Sequence, residues 1–477
     1  MMTTIRPPGI RWRDRLVASE ELAATAAAWL DFIRERTPAS AGGVALALSN
    51  DPHAIALFFS LSTLPLPVIV FGPDPRSWKS RPAVAAATPL FLPPGLAHLA
   101  PEGRRLGLAT HAVPDPRSSS LPSTPLEFLA CPGQVLFTSG STGPAKPVCI
   151  RTRAFLRQTA SIVDAYRLPD GCGLVGALPL STHYGFGHAL MLPAVLGARL
   201  SLVERFDHRA VLRQFRSEEN LYLAATPVMA DMLARAPLRD AVPASPAVCH
   251  ISAGSLSAAV ARAYVARFGV PLRPSYGRTE NGFITAETAP ASEVRWDAVG
   301  TAAPGIELRI GDDPEKPYAE GKPGRVWFSS PWYMEGYGFP PALAPRNGRD
   351  GWWPTEDLGV VDGAGYLTLL GRIDDCFKTT TGYLVNPAEI AAVLAEVPGA
   401  GETCVVPVPS GAGTVIGALV EAAGSVDVAT LRTATAGRLS AWFQPEIILV
   451  TDALPRLPGG KVDRRACITI LEEARRG

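Results

Sequence analysis

Short apolar runs recur along the first 300 positions of the chain, separated by stretches with helical spacing. Residues 43–49 (GVALALS) and 68–72 (VIVFG) read as buried strands, with 54–63 (AIALFFSLST) as the helix between them. Residues 20–35 read as an amphipathic helix ahead of them. Further on, 174–180 (LVGALPL), 199–204 (RLSLVE), 221–227 (LYLAATP) and 248–254 (VCHISAG) read as strands. The segments 187–198 (GHALMLPAVLGA) and 258–269 (AAVARAYVARFG) read as helices. Apolar strands alternating with helices predict βαβ units and a mainly parallel sheet. Past residue 300 the pattern changes. Segments 307–311, 324–330 and 365–372 alternate more strictly between Gly, Pro and Asp turns, which predicts antiparallel structure. From 371 onward a helix–strand–helix tail is long enough for a small domain, typically about 100 residues. The expected fold is α/β. A large N-terminal domain (1–371) holds mainly parallel sheets flanked by helices plus a β-rich subdomain, and a small mobile α+β C-terminal domain (372–477) follows.

Composition narrows the function classes. The chain has 477 residues, with 45 Lys and Arg against 44 Asp and Glu, a net charge of +1. That balance gives no electrostatic footprint for nucleic acid. Seven cysteines stand apart, none in a Cys-x-x-Cys pair. They predict free thiols in a reducing compartment, the cytoplasm, rather than a disulfide framework or a zinc site. The N-terminal stretch MMTTIRPPGIRWRDR lacks the apolar core of a signal peptide. The uncharged stretch 54–72 is long enough to suggest a membrane span. Pro65 and Pro67 interrupt it and no basic flank marks its ends, so a helix, a turn and a strand are expected instead.

Candidate chemistry begins at 135–148 (VLFTSGSTGPAKPV). A buried strand opens into Thr138, Ser139, Gly140, Ser141, Thr142 and Gly143, with Lys146 just beyond. Successive backbone N–H groups and hydroxyls form a nest for anions, phosphate above all. A polar surface turn is the plainer alternative. The loop is not a Walker sequence: Gly321-Lys322 and Gly460-Lys461 are followed by Pro and Val, where that motif needs Ser or Thr.

FTSGSTGPAKPV resembles the phosphate loop of the acyl-adenylate-forming superfamily, which includes acyl- and aryl-CoA ligases, nonribosomal adenylation domains and luciferases. Pro144-Ala145 reverses the family order, and Pro147 stands where glycine is common. Further family motifs appear in order. SYGRTENG (275–282) resembles Tyr-Gly-x-Thr-Glu, which implies that Tyr276 packs on adenine beside Gly277. Thr279 would then touch the α-phosphate, and Glu280 would help hold Mg2+. Read alone, Thr279-Glu280 is better taken as a helix N-terminus. SAGSL (252–256) would flank adenine and acid through Gly254 and Ser255. WWPTEDLGVVDGAGYLTLLGR (352–372) resembles the ribose segment, with Asp357 and Arg372 as its contacts and Glu356 in place of a family glycine. GRIDDCFKTTTGYLVNPAEI (371–390) resembles the hinge into the small domain. It places the pivot at Asp374, and Lys378 and Gly382 at the thiol tunnel. LPRLPGGKVDRRA (454–466) resembles the C-terminal lysine motif, with Lys461 the mobile catalytic lysine. A solvated turn is the plainer reading of Asp374-Asp375, and a solvated loop that of Lys461.

The resemblance implies a two-step reaction. A carboxylate attacks the α-phosphate of ATP, pyrophosphate leaves, and a thiol of CoA or of a carrier-protein phosphopantetheine then takes the acyl group from acyl-AMP. The family's acid pocket is formed partly by 179–190 (PLSTHYGFGHAL), and that stretch has no acidic residue to pair an α-ammonium. The expected substrate is therefore a small aromatic or short acyl acid rather than an amino acid. His183, Tyr184, Phe186 and Ser275 are its expected lining. His183 has a second reading, in which it caps a strand end or packs on the loop at 139–143. Other endings of the same chemistry are a β-lactone synthetase or luciferase type, and another class is a degenerate protein that binds nucleotide or acid without turnover.

Overall fold

The computed structural model describes residues 5–13, 15–75, 78, 88–115, 127–138, 145–217, 221–237, 247–254, 256–340, 342–344, 348–380, 384–410, 413–422, 424, 426–457 and 461–476. The chain divides into two compact units. One comprises Met1–Gly140, Pro144–Glu307 and Ser329–Gly348; the other comprises Ser141–Gly143, Leu308–Phe328 and Arg349–Gly477.

The first unit contains two large sheets. In one, the strands Leu272–Pro274, Val248–Ile251, Tyr222–Ala225, Leu174–Gly176, Leu200–Leu202 and Ile10–Trp12 lie side by side in parallel, and Arg15–Val17 closes the edge antiparallel. In the other, Pro147–Arg151, Gly133–Phe137, Val68–Phe71, Val44–Ala47, Pro89–Leu92 and Ala109–Ala112 are neighbours in that order. The last five run parallel, and Pro147–Arg151 turns back antiparallel on Gly133–Phe137. Gly336–Phe339 extends that edge. The central strands Val44–Ala47, Val68–Phe71, Tyr222–Ala225 and Val248–Ile251 are buried on both faces, as helix-covered sheets require.

The uncharged stretch folds as the helix Pro52–Leu61 and the strand Val68–Phe71. Every helix residue except His53 is buried, so its all-round apolar character reflects a core helix. Asp51 caps it, its carboxylate accepting from Ala54 N at 3.0 Å. Among the described residues, no helix is long and apolar enough to cross a membrane. Neighbouring Asn50 bridges the two sheets. Its Nδ2 donates to Leu178 O (2.9 Å) and Val203 O (3.0 Å), and its Oδ1 accepts from Leu180 N (3.0 Å).

Two expected helices are less regular than predicted. The one at 20–35 is two, Ser19–Ala28 and Leu30–Glu35, parted at Trp29. The Trp29 indole is buried and donates to Pro114 O at 3.0 Å. The one at 187–198 is a π-helical turn, Gly187–Met191, followed by Leu192–Leu196.

In the second unit a four-stranded sheet orders Glu307–Ile310, Gly324–Ser329, Trp352–Val361 and Leu367–Arg372. The long hairpin Ala400–Ser410/Gly413–Ala422 carries Ile447–Thr451 in parallel on its second strand. Alternation sorts its first strand between two clusters. Val405 packs with Ile390, Leu394 and Leu431, whereas Cys404, Val406 and Val408 pack with Cys467 and Leu471 of the helix Arg464–Arg476.

Candidate functional site

The hydroxyl- and glycine-rich loop joins two antiparallel strands of the first unit, Gly133–Phe137 and Pro147–Arg151. Its base is clasped twice: Thr138 N donates to Lys146 O at 3.0 Å, and Lys146 N donates to Thr138 Oγ1 at 2.9 Å. Ser139, Gly140, Ser141, Thr142 and Gly143 lie outside the described residues.

Glu280 sits in the turn between the hairpin strands Gly277–Arg278 and Gly282–Phe283. It is buried, at 6% exposure. Tyr337 Oη donates to its Oε1 at 2.6 Å, and Arg278 Nε lies 3.5 Å from its Oε2. Burial raises the carboxyl's pKa, but Arg278 and the Tyr337 hydroxyl outweigh it, and the net shift is below the ordinary glutamate value. Met334 N donates to Glu280 O at 2.9 Å, a second contact from the segment that bears Tyr337. Gly277 and Gly282 are required here. A Cβ on Gly277 would meet Gly282 O at 2.3 Å. Gly282 has φ +74°, and its Cβ would meet Gln158 Nε2 at 2.1 Å and His183 Nε2 at 2.3 Å.

His183 is buried and its Nε2 bonds Gln158 Oε1 at 3.1 Å. Its ring centroid lies 5.0 Å from that of Phe155. Burial pushes its pKa down to about 4, against the opposing Thr279 backbone and Glu280 charge. Tyr184 Oη reaches two carbonyls, Ala225 O at 3.0 Å and His250 O at 3.1 Å. Phe186 is fully buried against Phe58 and Phe155, part of the core. Ser275 ends the strand Leu272–Pro274, and Ser252 Oγ donates to its carbonyl at 3.1 Å. Tyr276 is buried beside it. Gly254 is exposed next to Ala253, which takes the left-handed φ of 66°. Ser255 lies outside the described residues.

Beneath Ser275 runs a buried polar chain that the sequence did not announce. Tyr222 Oη lies 2.6 Å from His188 Nδ1 and 2.8 Å from His250 Nδ1, and His250 Nε2 bonds Ser275 Oγ. Burial holds His250 down to about 3 and His188 well below its usual value, so both rings are neutral. Tyr222 has one proton for two facing nitrogens, so one Nδ1 must carry a hydrogen. If His188 carries it, His250 accepts from Tyr222 and donates to Ser275; if His250 carries it, both bonds reverse.

In the second unit Asp357 and Arg372 are cross-strand partners, with Arg372 Nη1 3.9 Å from Asp357 Oδ1. Arg372 grips Asp374 through two bonds, of 2.7 Å from Nε and 2.5 Å from Nη2. Glu356 meets Arg325 at 3.1 Å. Lys378 is exposed on a two-residue strand paired with Leu384–Val385, and Gly382 lies outside the described residues. Lys461 is exposed, and its carbonyl accepts from Leu457 N at 2.8 Å beside an Arg456–Val462 bridge.

Sequence reasoning missed Tyr337, Gln158, His188, Tyr222 and His250. His250 and Tyr222 sit on strands read as apolar, where a polar ring in a VCHI or LYLA run was the available signal. Tyr337 carried no local signal, because its meaning comes from strand pairing across nearly 200 positions.

Residues 130–338 match the family model described as AMP-binding enzyme. An indoleacetate–CoA ligase of Aromatoleum aromaticum is 26% identical over 488 residues, covering 95% of this chain and 93% of the relative. A 4-coumarate–CoA ligase-like protein of Arabidopsis thaliana is 27% identical over 343 residues, covering 69% of this chain and 60% of the relative. The crystal structure of ATP-bound MatB from Rhodopseudomonas palustris superposes with a TM-score of 0.83 at 22% identity, over 99% of this chain and 97% of that one.

Proposed function

We propose that the chain is an AMP-forming acid–thiol ligase, a reading supported by the match of residues 130–338 to the AMP-binding enzyme family. It activates a carboxylic acid with ATP as acyl-AMP and passes the acyl group to a thiol. The observation that carries this reading is the meeting of three segments at Tyr337: its own strand, the Gly277–Phe283 hairpin through Glu280, and the clasped loop through Lys146.

The donor set fits Mg2+. Among the described residues, no cluster of three or more His, Cys, Asp or Glu is present. A single buried, anionic carboxylate suits an ion that keeps its waters and takes its other ligands from phosphates. Glu280 would hold it, with Thr279 on the α-phosphate, and when bound it offsets negative charge on the nucleotide phosphates. Thr138, Lys146 and the loop between them hold the β- and γ-phosphates. Tyr276 covers adenine beside Gly254, Ser255 and Gly277, and Asp357 with Arg372 takes the ribose. Lys461 supplies a cation to the charge that develops as the carboxylate attacks. No general base is needed, since a carboxylate is ionised at neutral pH.

The substrate is an aromatic or short acyl acid, supported by neutral His183 and by the absence of an acidic side chain in 179–190. The relatives' names favour CoA as acceptor, with a carrier-protein phosphopantetheine as the other thiol to test. The lid is the segment 372–477. Asp374 marks its pivot, and Lys378 and Gly382 its thiol tunnel. The free state of all seven cysteines fits the cytoplasm.

The test is pyrophosphate release from ATP and Mg2+ over a panel of aromatic and short-chain acids, with and without CoA. Acid-dependent release that CoA accelerates is expected. Release without acid dependence would mark a hydrolase, and none across a broad panel would leave only a binding protein.

A further inference from the structure

Tyr337 lies outside every motif read from the sequence, yet it touches two of them. It sits on Gly336–Phe339 opposite Val148 of the returning strand Pro147–Arg151. Its hydroxyl donates to Glu280 Oε1 at 2.6 Å, and its ring centroid lies 5.5 Å from Lys146 Nζ, within cation–π range. Backbone bonds fix the approach of this segment from both sides: Met334 N to Glu280 O at 2.9 Å, and Glu335 N to Cys149 O at 2.8 Å. Half-buried Tyr337 is therefore held to both motifs by its own strand.

Among the described residues, Arg278 also approaches the Glu280 carboxylate, with Nε 3.5 Å from Oε2. A guanidinium readily takes both oxygens of a carboxylate. The Tyr337 hydroxyl competes with that by engaging Oε1. The two oxygens then face different partners, and each keeps lone-pair capacity for a cation.

We propose that Tyr337 is a positioning residue: it fixes the Glu280 carboxylate in the orientation that receives the divalent cation of a bound metal–nucleotide, and its ring steadies Lys146 beside the same phosphates. The proposal rests on the reading of Glu280 as the cation's carboxylate and names the residue that sets it.

The experiment measures binding, without turnover. Mn2+ is titrated into the full chain with α,β-methylene-ATP, and free Mn2+ is followed by electron paramagnetic resonance. Nucleotide binding in EDTA is measured in parallel, as are melting temperatures. Tyr337→Phe keeps the ring and should weaken Mn2+ binding by roughly tenfold to a hundredfold, the scale of one hydrogen bond to a charge. Its metal-free nucleotide binding should stay at the wild-type level. Tyr337→Leu should also weaken metal-free binding, by about twofold to fivefold. Arg278→Met, which leaves Tyr337 in place, should keep or tighten Mn2+ binding.

Wild-type Mn2+ affinity in Tyr337→Phe overturns the proposal. So does an equal loss with and without metal, or a loss in Arg278→Met as large as that in Tyr337→Phe. Wild-type protein that binds Mn2+ with nucleotide but releases no pyrophosphate refutes the activity and leaves this role standing. Unchanged Mn2+ binding in Tyr337→Phe refutes this role and leaves the activity standing.

Discussion

At the scale of single residues, the buried histidines dictate how the protein responds to acid. His183 and His250 have folded-state pKa values of about 4 and about 3, below the ordinary 6.5 of an unfolded histidine. Between those values the unfolded chain binds more protons than the folded one, so stability is complete above pH 6.5 and falls as pH drops. Each ring contributes a slope of about 1.4 kcal/mol per pH unit until its folded pKa is reached. Urea midpoints at pH 7, 6 and 5 should fall in sequence, and His250→Phe should flatten the profile. A profile that stays flat in the wild type would mean the rings are not held neutral. Tyr222→Phe strips the shared hydroxyl from two buried nitrogens and should cost roughly 1–3 kcal/mol of unfolding free energy, read as a lower urea midpoint at constant slope. Gly282→Ala combines a positive φ with a collision against Gln158 and His183. It should cost more than about 2 kcal/mol, or fold only with His183 displaced, which a shifted His183 imidazole resonance would report.

At the scale of elements, the periodicity of the chain located central strands of the first unit's two sheets, whereas Ile10–Trp12, Pro89–Leu92, Ala109–Ala112 and Leu272–Pro274 went unread. The apolar runs at 44–47, 68–71, 174–176, 200–202, 222–225 and 248–251 are all strands, because parallel strands under helices must be apolar on both faces. The stricter alternation after residue 300 marked the antiparallel sheet of the second unit for the complementary reason. Local pattern could not reveal elements that owe their place to distant partners. The break at Trp29 answers to Pro114, and the pairing of Gly336–Phe339 answers to Pro147–Arg151. The same limit applies to the proposed site residues. Thr138, Lys146, Glu280, Asp357 and Arg372 were legible as candidates because each stands in a short motif, whereas Tyr337 and the His188–Tyr222–His250 chain are assembled only by folding. At this scale too, Asp357→Ala removes one member of a cross-strand pair and should raise the KM for ATP at least tenfold. Its KM for the acid should change little, as steady-state kinetics of pyrophosphate release would show.

At the scale of the whole molecule, the proposed reaction assigns different segments to different halves. Lys461→Ala should lower adenylate formation by a hundredfold or more, the scale of losing one charge-stabilising group, while thioester formation from preformed acyl-AMP persists. Equal loss in both half-reactions, measured separately by pyrophosphate exchange and by thioester yield, would contradict that division. Asn50 has a consequence on the same scale. One carboxamide holds the ends of strands from both sheets of the first unit, so neither sheet can fray there without stranding amide and carbonyl groups of the other. Heating should therefore melt the two sheets in a single calorimetric peak. Asn50→Ala should broaden or split that peak, turning one cooperative block into two loosely joined halves.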